Sequence, residues 1–206
     1  MDLFDLMKGQ LGEAAIGALT SQLGGAQPAQ PEQTSKGIDG AMSILMGALA
    51  NNSKSEAGIS SLSNALDRDH DGGILDDVVG FINGTAQPAN QKASNGAGIL
   101  GHLLGGKQGN AIDQLSKMSG LDTNQSMGML TKLAPLVLGM LGKQKKSAGL
   151  DASGLSNILA QSAGTAVKKT SGAESLLTSL LDQDGDGSIA DDAMRIGGNL
   201  LKGLFK

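Results

Sequence analysis

Cysteine is absent from the 206 residues, which excludes disulfides, thiolate metal sites and a cysteine nucleophile. Tryptophan and tyrosine are absent as well, and Phe4, Phe81 and Phe205 are the whole aromatic content. A core must then be built almost entirely from Leu, Ile, Val, Met and Ala, and the 39% apolar content is enough to build one. Basic residues are thinly spread apart from Lys143, Lys145 and Lys146 and the pair Lys168-Lys169, within a net charge of −4. Nucleic acid calls for a basic face, and single strands call for aromatic stacking platforms, so no nucleic-acid partner is expected. The two lysine clusters read as solvated helix ends.

Long apolar runs are missing too. No segment approaches the roughly 20 residues of a membrane span. The start, Met1-Asp2-Leu3-Phe4-Asp5, carries acids where a secretory signal would carry positive charge. The expected compartment is the cytoplasm, with export that uses no recognisable signal left open. What the sequence has in excess is glycine, 32 residues or about 16%, roughly twice ordinary usage. It follows no collagen-like period and lies among Leu, Ala and Ser, so it reads as helix ends and close helix contacts.

Apolar residues recur at three- and four-residue spacings along most of the chain, and no alternating strand pattern is seen. The spacing predicts a helix from Leu3 to Leu23 stopped by Gly24-Gly25, a loop over 24–34 holding Pro28 and Pro31, and a helix from Thr34 to Asn51. A helix from Ser55 to Leu66 and one from Leu75 to about Gly84 follow. Residues 84–96 show no apolar period and read as a linker. Beyond it come short helices around Ile99–Leu104 and Ala111–Met118, then a long one opened by an Asp122/Gln125 capping box. Pro135 should kink or divide that last helix. Ile44–Leu49 resembles Leu136–Leu141, and Leu62–Leu66 resembles Leu155–Leu159, which suggests a duplication with an insertion around 162–172. The expected architecture is all-α, a tandem duplicated bundle of short helices with two EF-hand-like calcium loops. A first repeat covers 1–83, the linker 84–96, and a second repeat 97–206.

The densest signal is a repeated acidic loop. Asp67-Arg68-Asp69-His70-Asp71-Gly72-Gly73-Ile74-Leu75-Asp76-Asp77 recurs as Asp182-Gln183-Asp184-Gly185-Asp186-Gly187-Ser188-Ile189-Ala190-Asp191-Asp192. In an EF-hand loop, positions one, three and five give side-chain oxygens, position six is a glycine for a sharp turn and position seven coordinates through its carbonyl. Asp67, Asp69, Asp71 and Gly73 fill those ligand places in the first loop, and Asp182, Asp184, Asp186 and Ser188 in the second. Position eight is apolar in both, Ile74 and Ile189, so that the back of the loop can anchor to a core. Position twelve, where an EF-hand has a bidentate Glu, is Val78 or Ala193. Asp77 and Asp192, one place earlier, are instead expected to close the sites, with Asp76 and Asp191 beside them and which of each pair coordinates left open. Carboxylates so crowded repel one another without a cation, so two calcium ions are expected, one per loop.

Gly/Leu-rich short helices in tandem with a loop of the form Leu-Asp-x-Asp-x-Asp-Gly-x-Ile-x-Asp-Asp resemble a bacterial domain-of-unknown-function family related to the YidB-like proteins. The resemblance is strongest over 37–83 and 97–206. It implies an all-helical bacterial protein and supplies no activity. The loops alone are similar to EF-hand and dockerin loops, apart from the closing acid one place early.

Catalysis has little support. His70 occupies the fourth loop position, which is expected to face solvent, and His102 stands alone in a Leu-rich helix. Three readings remain. The first is a non-enzymatic calcium-binding structural or interaction module that self-assembles or binds a protein partner. The second is a calcium-responsive sensor. The third, a membrane-surface protein using the first helix or the Leu200–Phe205 tail, ranks below both.

Overall fold

The protein's structure, a computed structural model, describes residues 3–24, 29–86 and 90–170. Every regular element among them is helical: α1 (Leu3–Gln22), α2 (Pro31–Asn52), α3 (Glu56–Asp69), α4 (Val78–Asn83), α5 (Gly96–Leu104), α6 (Gln108–Ser119), α7 (Thr123–Ala148) and α8 (Ala152–Lys169). Two short 3-10 turns interrupt the connections, at Gly73–Leu75 and Gly105–Lys107. The second acidic loop, with Asp182, Asp184, Asp186, Ser188, Asp191 and Asp192, lies outside the described residues. No helix among those described is long and apolar enough to cross a membrane.

α2 and α7 are the central elements, because their sequences are apolar or small on every side rather than along one stripe. Gly40 to Leu49 are buried without a break, and so are Leu133 to Gly142. α2 packs against α8, α6, α7 and α1, while α7 is also covered by α5, α6 and α3. One aliphatic core therefore draws residues from both sides of 84–96. At about 1.5–3 kcal/mol for each fully buried aliphatic side chain, these two helices carry much of the driving force.

Helix ends follow local chemistry. The Asp122/Gln125 capping box is formed, with Gln125 N–H donating to Asp122 Oδ1 at 2.8 Å and Asp122 N–H to Gln125 Oε1 at 3.0 Å. α2 starts at Pro31, three residues earlier than its apolar pattern implies. Proline suits the first helical position, and Gln33 Oε1 reaches back to the Gln30 N–H at 3.0 Å. α4 has six residues, well short of the roughly 12 an isolated helix needs. It is held by Asp77 at its start, by fully buried Ile82, and by Lys132 Nζ donating to the Ile82 carbonyl at 2.7 Å.

Two expectations about breakers are corrected. Pro135 does not divide α7, which runs 26 residues through it. The proline removes the donor that the Thr131 carbonyl would have taken, and the start of α5 lies over that carbonyl. A Cβ on Gly96 would stand 1.8 Å from the Thr131 oxygen. The freed acceptor thus faces the Gly96 backbone. The break occurs instead in α1, at Gly12, with φ 57 and ψ 172.

Candidate metal centre

The first acidic loop sits between α3 and α4. α3 was expected to end near Leu66 but continues through Asp67, Arg68 and Asp69. Carboxylates in a last helical turn oppose the helix dipole, so they need partners. Asp67 Oδ1 accepts from Lys145 Nζ of α7. Asp69 accepts from Asn90 Nδ2 at 3.0 Å and from Arg68 at 3.3 Å. The Asn90 hydrogen bond holds the Asp69 carboxyl below the usual carboxylate range. Asn90 lies in the stretch that reads as a linker, and with buried Ala93 it lines the loop's cleft.

Beyond α3 the chain turns sharply. Asp71 Oδ1 accepts from the Gly73 N–H at 3.0 Å, and Gly72 has φ +99, a backbone that the glycine expected at position six adopts without strain. The 3-10 turn follows, with Leu75 N–H donating to the Gly72 carbonyl at 2.9 Å and Asp76 N–H to the Gly73 carbonyl at 3.2 Å. Asp77 then caps α4, its Oδ1 accepting from the Gly80 N–H at 2.7 Å.

The back of this loop is seated on α7. Ile74 is 6% exposed and lies over Gly139, where an added Cβ would stand 2.5 Å from its Cγ2. The His70 carbonyl lies over Gly142, where an added Cβ would stand 1.7 Å from the oxygen. Gly139 and Gly142, three residues apart, therefore open a trough into which the loop backbone sinks. His70 does not face solvent as its loop position suggests. It is 5% exposed, because α3 extends to Asp69 and leaves His70 as the cap pressed against α7. Its Nδ1 is buried with no hydrogen-bond partner, and burial pushes the imidazole pKa down against the opposing pull of Asp69 and Asp71.

The front of the loop is open. Asp69, Asp71, Gly73, Asp76 and Asp77 line one cleft of about 420 Å³, with Arg68 and Asn90 on its wall. Asp67 is not among them. It lines a neighbouring cleft of about 310 Å³ together with Asp71, Lys145 and Lys146, and Asp71 is the carboxylate the two clefts share. Five of the six expected first-loop ligands are thus brought to one cavity, and the sixth is held by a lysine. As placed, no group of three or more His, Asp or Glu side chains among the described residues is gathered closely enough to hold a metal ion.

A family described as bacterial protein of unknown function (DUF937) matches residues 5–144. The chain belongs to that family. The matched stretch takes in α1 to α6 and most of α7, and hence the first acidic loop and its α7 seat, but ends before α8 and the second loop. No curated protein and no solved structure matches the chain.

Two parts of the site escape a reading of sequence alone. Lys145 is 8% exposed and ion-paired, so the cluster Lys143, Lys145 and Lys146 is not simply a solvated helix end; the Lys143 side chain also packs beside Gly72. Asn90 carries no motif, and its role depends on where residues 90–95 pack. The Gly139/Gly142 spacing within an otherwise aliphatic helix is the one signal that could have shown where something approaches closely.

Proposed function

We propose that this protein is a calcium-binding, non-enzymatic helical structural or interaction protein of the bacterial cytoplasm, in which each acidic loop takes one calcium ion and fixes the angle between the helices it joins. The observation that carries the reading is the shared cleft of Asp69, Asp71, Gly73, Asp76 and Asp77. Four aspartates lining one solvent-open cavity bring the hard oxygen donors that calcium takes to one side of the loop. Of the two closing acids, Asp77 caps the start of α4 and Asp76 precedes it, where negative charge suits the helix dipole.

The duplicated character of the module is supported by the repeated loop sequence and by the like order along the chain of α2 then α3 and α7 then α8. Each long buried helix is followed, after a short connection, by an amphipathic helix opened by a side-chain cap, Ser55 or Asp151. The test compares chelator-treated protein with and without calcium by thermal denaturation and light scattering. Calcium at about 100 times its Kd adds about 2.7 kcal/mol to the unfolding free energy if it binds the folded state alone. Identical melting curves and an unchanged molecular mass would sink the reading.

A calcium-responsive sensor is the second reading. It is favoured by the position of Asp67, which has to leave Lys145 to join the other ligands, so that ion binding and the α3–α7 contact are coupled. It predicts a reversible change of shape at roughly micromolar calcium.

A further inference from the structure

α3 and α5 both rest on α7 but scarcely touch each other, so a cleft of about 620 Å³ is left between them, with Leu138 of α7 in its wall. The cleft has two unlike ends. Asn90 Nδ2 donates to Asp69 at 3.0 Å, which sets the approach to α5 beside the end of α3. Asn52 Nδ2 donates to the Leu103 carbonyl at 3.1 Å, which ties the end of α5 to the chain entering α3. The two helices therefore run antiparallel along the cleft, with Leu62, Ala65 and Ile99 lining its length and His70 and Lys92 at the end beyond α3. Small-molecule sites have this character, about 300–1,000 Å³ of mostly apolar wall with a few polar groups.

The polar end is unfinished. His70 is a wall of the cleft, and its buried Nδ1 is satisfied by nothing in the protein, which costs free energy that a ligand oxygen would recover. Lys92 stands at the same end, within electrostatic reach of Asp69 but in no ion pair among the described residues. Asp69, the carboxylate there, already accepts from Asn90 and Arg68. A ligand head at this end thus meets an unused nitrogen and an unpaired ammonium, a combination that suits an anion. No aromatic side chain lines the cleft, so the body that fits is an aliphatic chain rather than a stacked ring.

We propose that the cleft between α3 and α5 binds an aliphatic carboxylate, its chain lying on Leu62, Ile99 and Leu138 and its head accepting from His70 Nδ1–H and the Lys92 ammonium. The inference does not rest on the calcium reading and needs no metal. The ligand is a free acid rather than the surface of an anionic bilayer. Asp69 lines both this cleft and the acidic front of the loop, so a bilayer laid here would also face Asp71, Asp76 and Asp77, whereas a single carboxylate meets His70 and Lys92.

The test is calorimetric titration of dodecanoate, below its micelle concentration, into the chelator-treated full chain. Saturable binding of one molecule is expected, with dodecanol, which has the same chain and no charge, about tenfold weaker. His70→Phe keeps a ring in place and removes the nitrogen, and should weaken dodecanoate about tenfold. Lys92→Met, at an exposed position, should weaken it about fivefold and leave dodecanol unchanged. Ala65→Phe fills the cleft and should abolish binding of both. No saturable binding of dodecanoate overturns the inference, as does dodecanoate binding that survives Ala65→Phe in a folded chain. Equal affinity for dodecanol overturns the carboxylate, and flotation with phosphatidylglycerol vesicles in place of dodecanoate binding overturns the free acid in favour of a membrane surface. Should Ala65→Phe lose helicity, Lys92→Met decides, since unchanged dodecanoate affinity there contradicts the placement of the head.

Discussion

The two faces of the segment from Asp67 to Asp77 are made of different materials. The face toward α7 is closed by contact, with Ile74 over Gly139 and the His70 carbonyl over Gly142, and its energy is that of packing. The face toward solvent is held by charge and hydrogen bonds, with Asp69 on Asn90, Asp71 on the Gly73 N–H and Asp77 on the Gly80 N–H. Packing acts at any pH or ionic strength, whereas the acidic front depends on what neutralises it. The seat is therefore formed by packing alone, and a cation taken up at the front would meet a loop whose backbone is already placed.

Substitutions should separate the two faces, and the back should respond most. Gly142→Ala puts a methyl group into the His70 carbonyl, and neither backbone can yield without lifting the loop off α7. A loss of about 3 kcal/mol in urea unfolding is expected, equal with calcium and with chelator. Ile74→Ala leaves a void against Gly139 and should cost about 2 kcal/mol, again without regard to calcium. Asp77→Ala lies on the boundary between the faces. In chelator it loses the α4 cap, at about 1 kcal/mol, and in calcium it should lose the added ion stabilisation too. Asp71→Asn should have the smallest effect in chelator, since the amide oxygen can still accept from Gly73, yet it should weaken calcium binding. A front-face substitution that destabilised the chelator-treated protein as much as Gly142→Ala would break the distinction.

What was legible in the sequence was local. The glycine turn at Gly72, the apolar anchor at Ile74, the Asp122/Gln125 box and the all-helical character each depend on residues within a turn or two of one another. Burial of His70 was not legible, because it depends on α3 running on to Asp69 and on Gly142 arriving beneath it. The role of Lys145 lies 78 residues from its partner, and that of Asn90 lies 21 residues away. Pro135 and Gly12 show the same limit from the other side. Both disfavour helix, but Pro135 lies in a stretch buried all round with its orphaned carbonyl covered, and Gly12 lies in a helix with one exposed side. Surroundings, rather than the residue alone, decide which one breaks its helix.

The most direct test of the loop as a calcium site is the number of ions bound. Calcium titrated calorimetrically into the chelator-stripped full chain should give two ions, one per acidic loop, and the Asp69→Asn/Asp71→Asn chain should give one. No binding by the unsubstituted chain, or an unchanged number of ions after the substitutions, would contradict the assignment of the cleft between α3 and α4 as a metal centre.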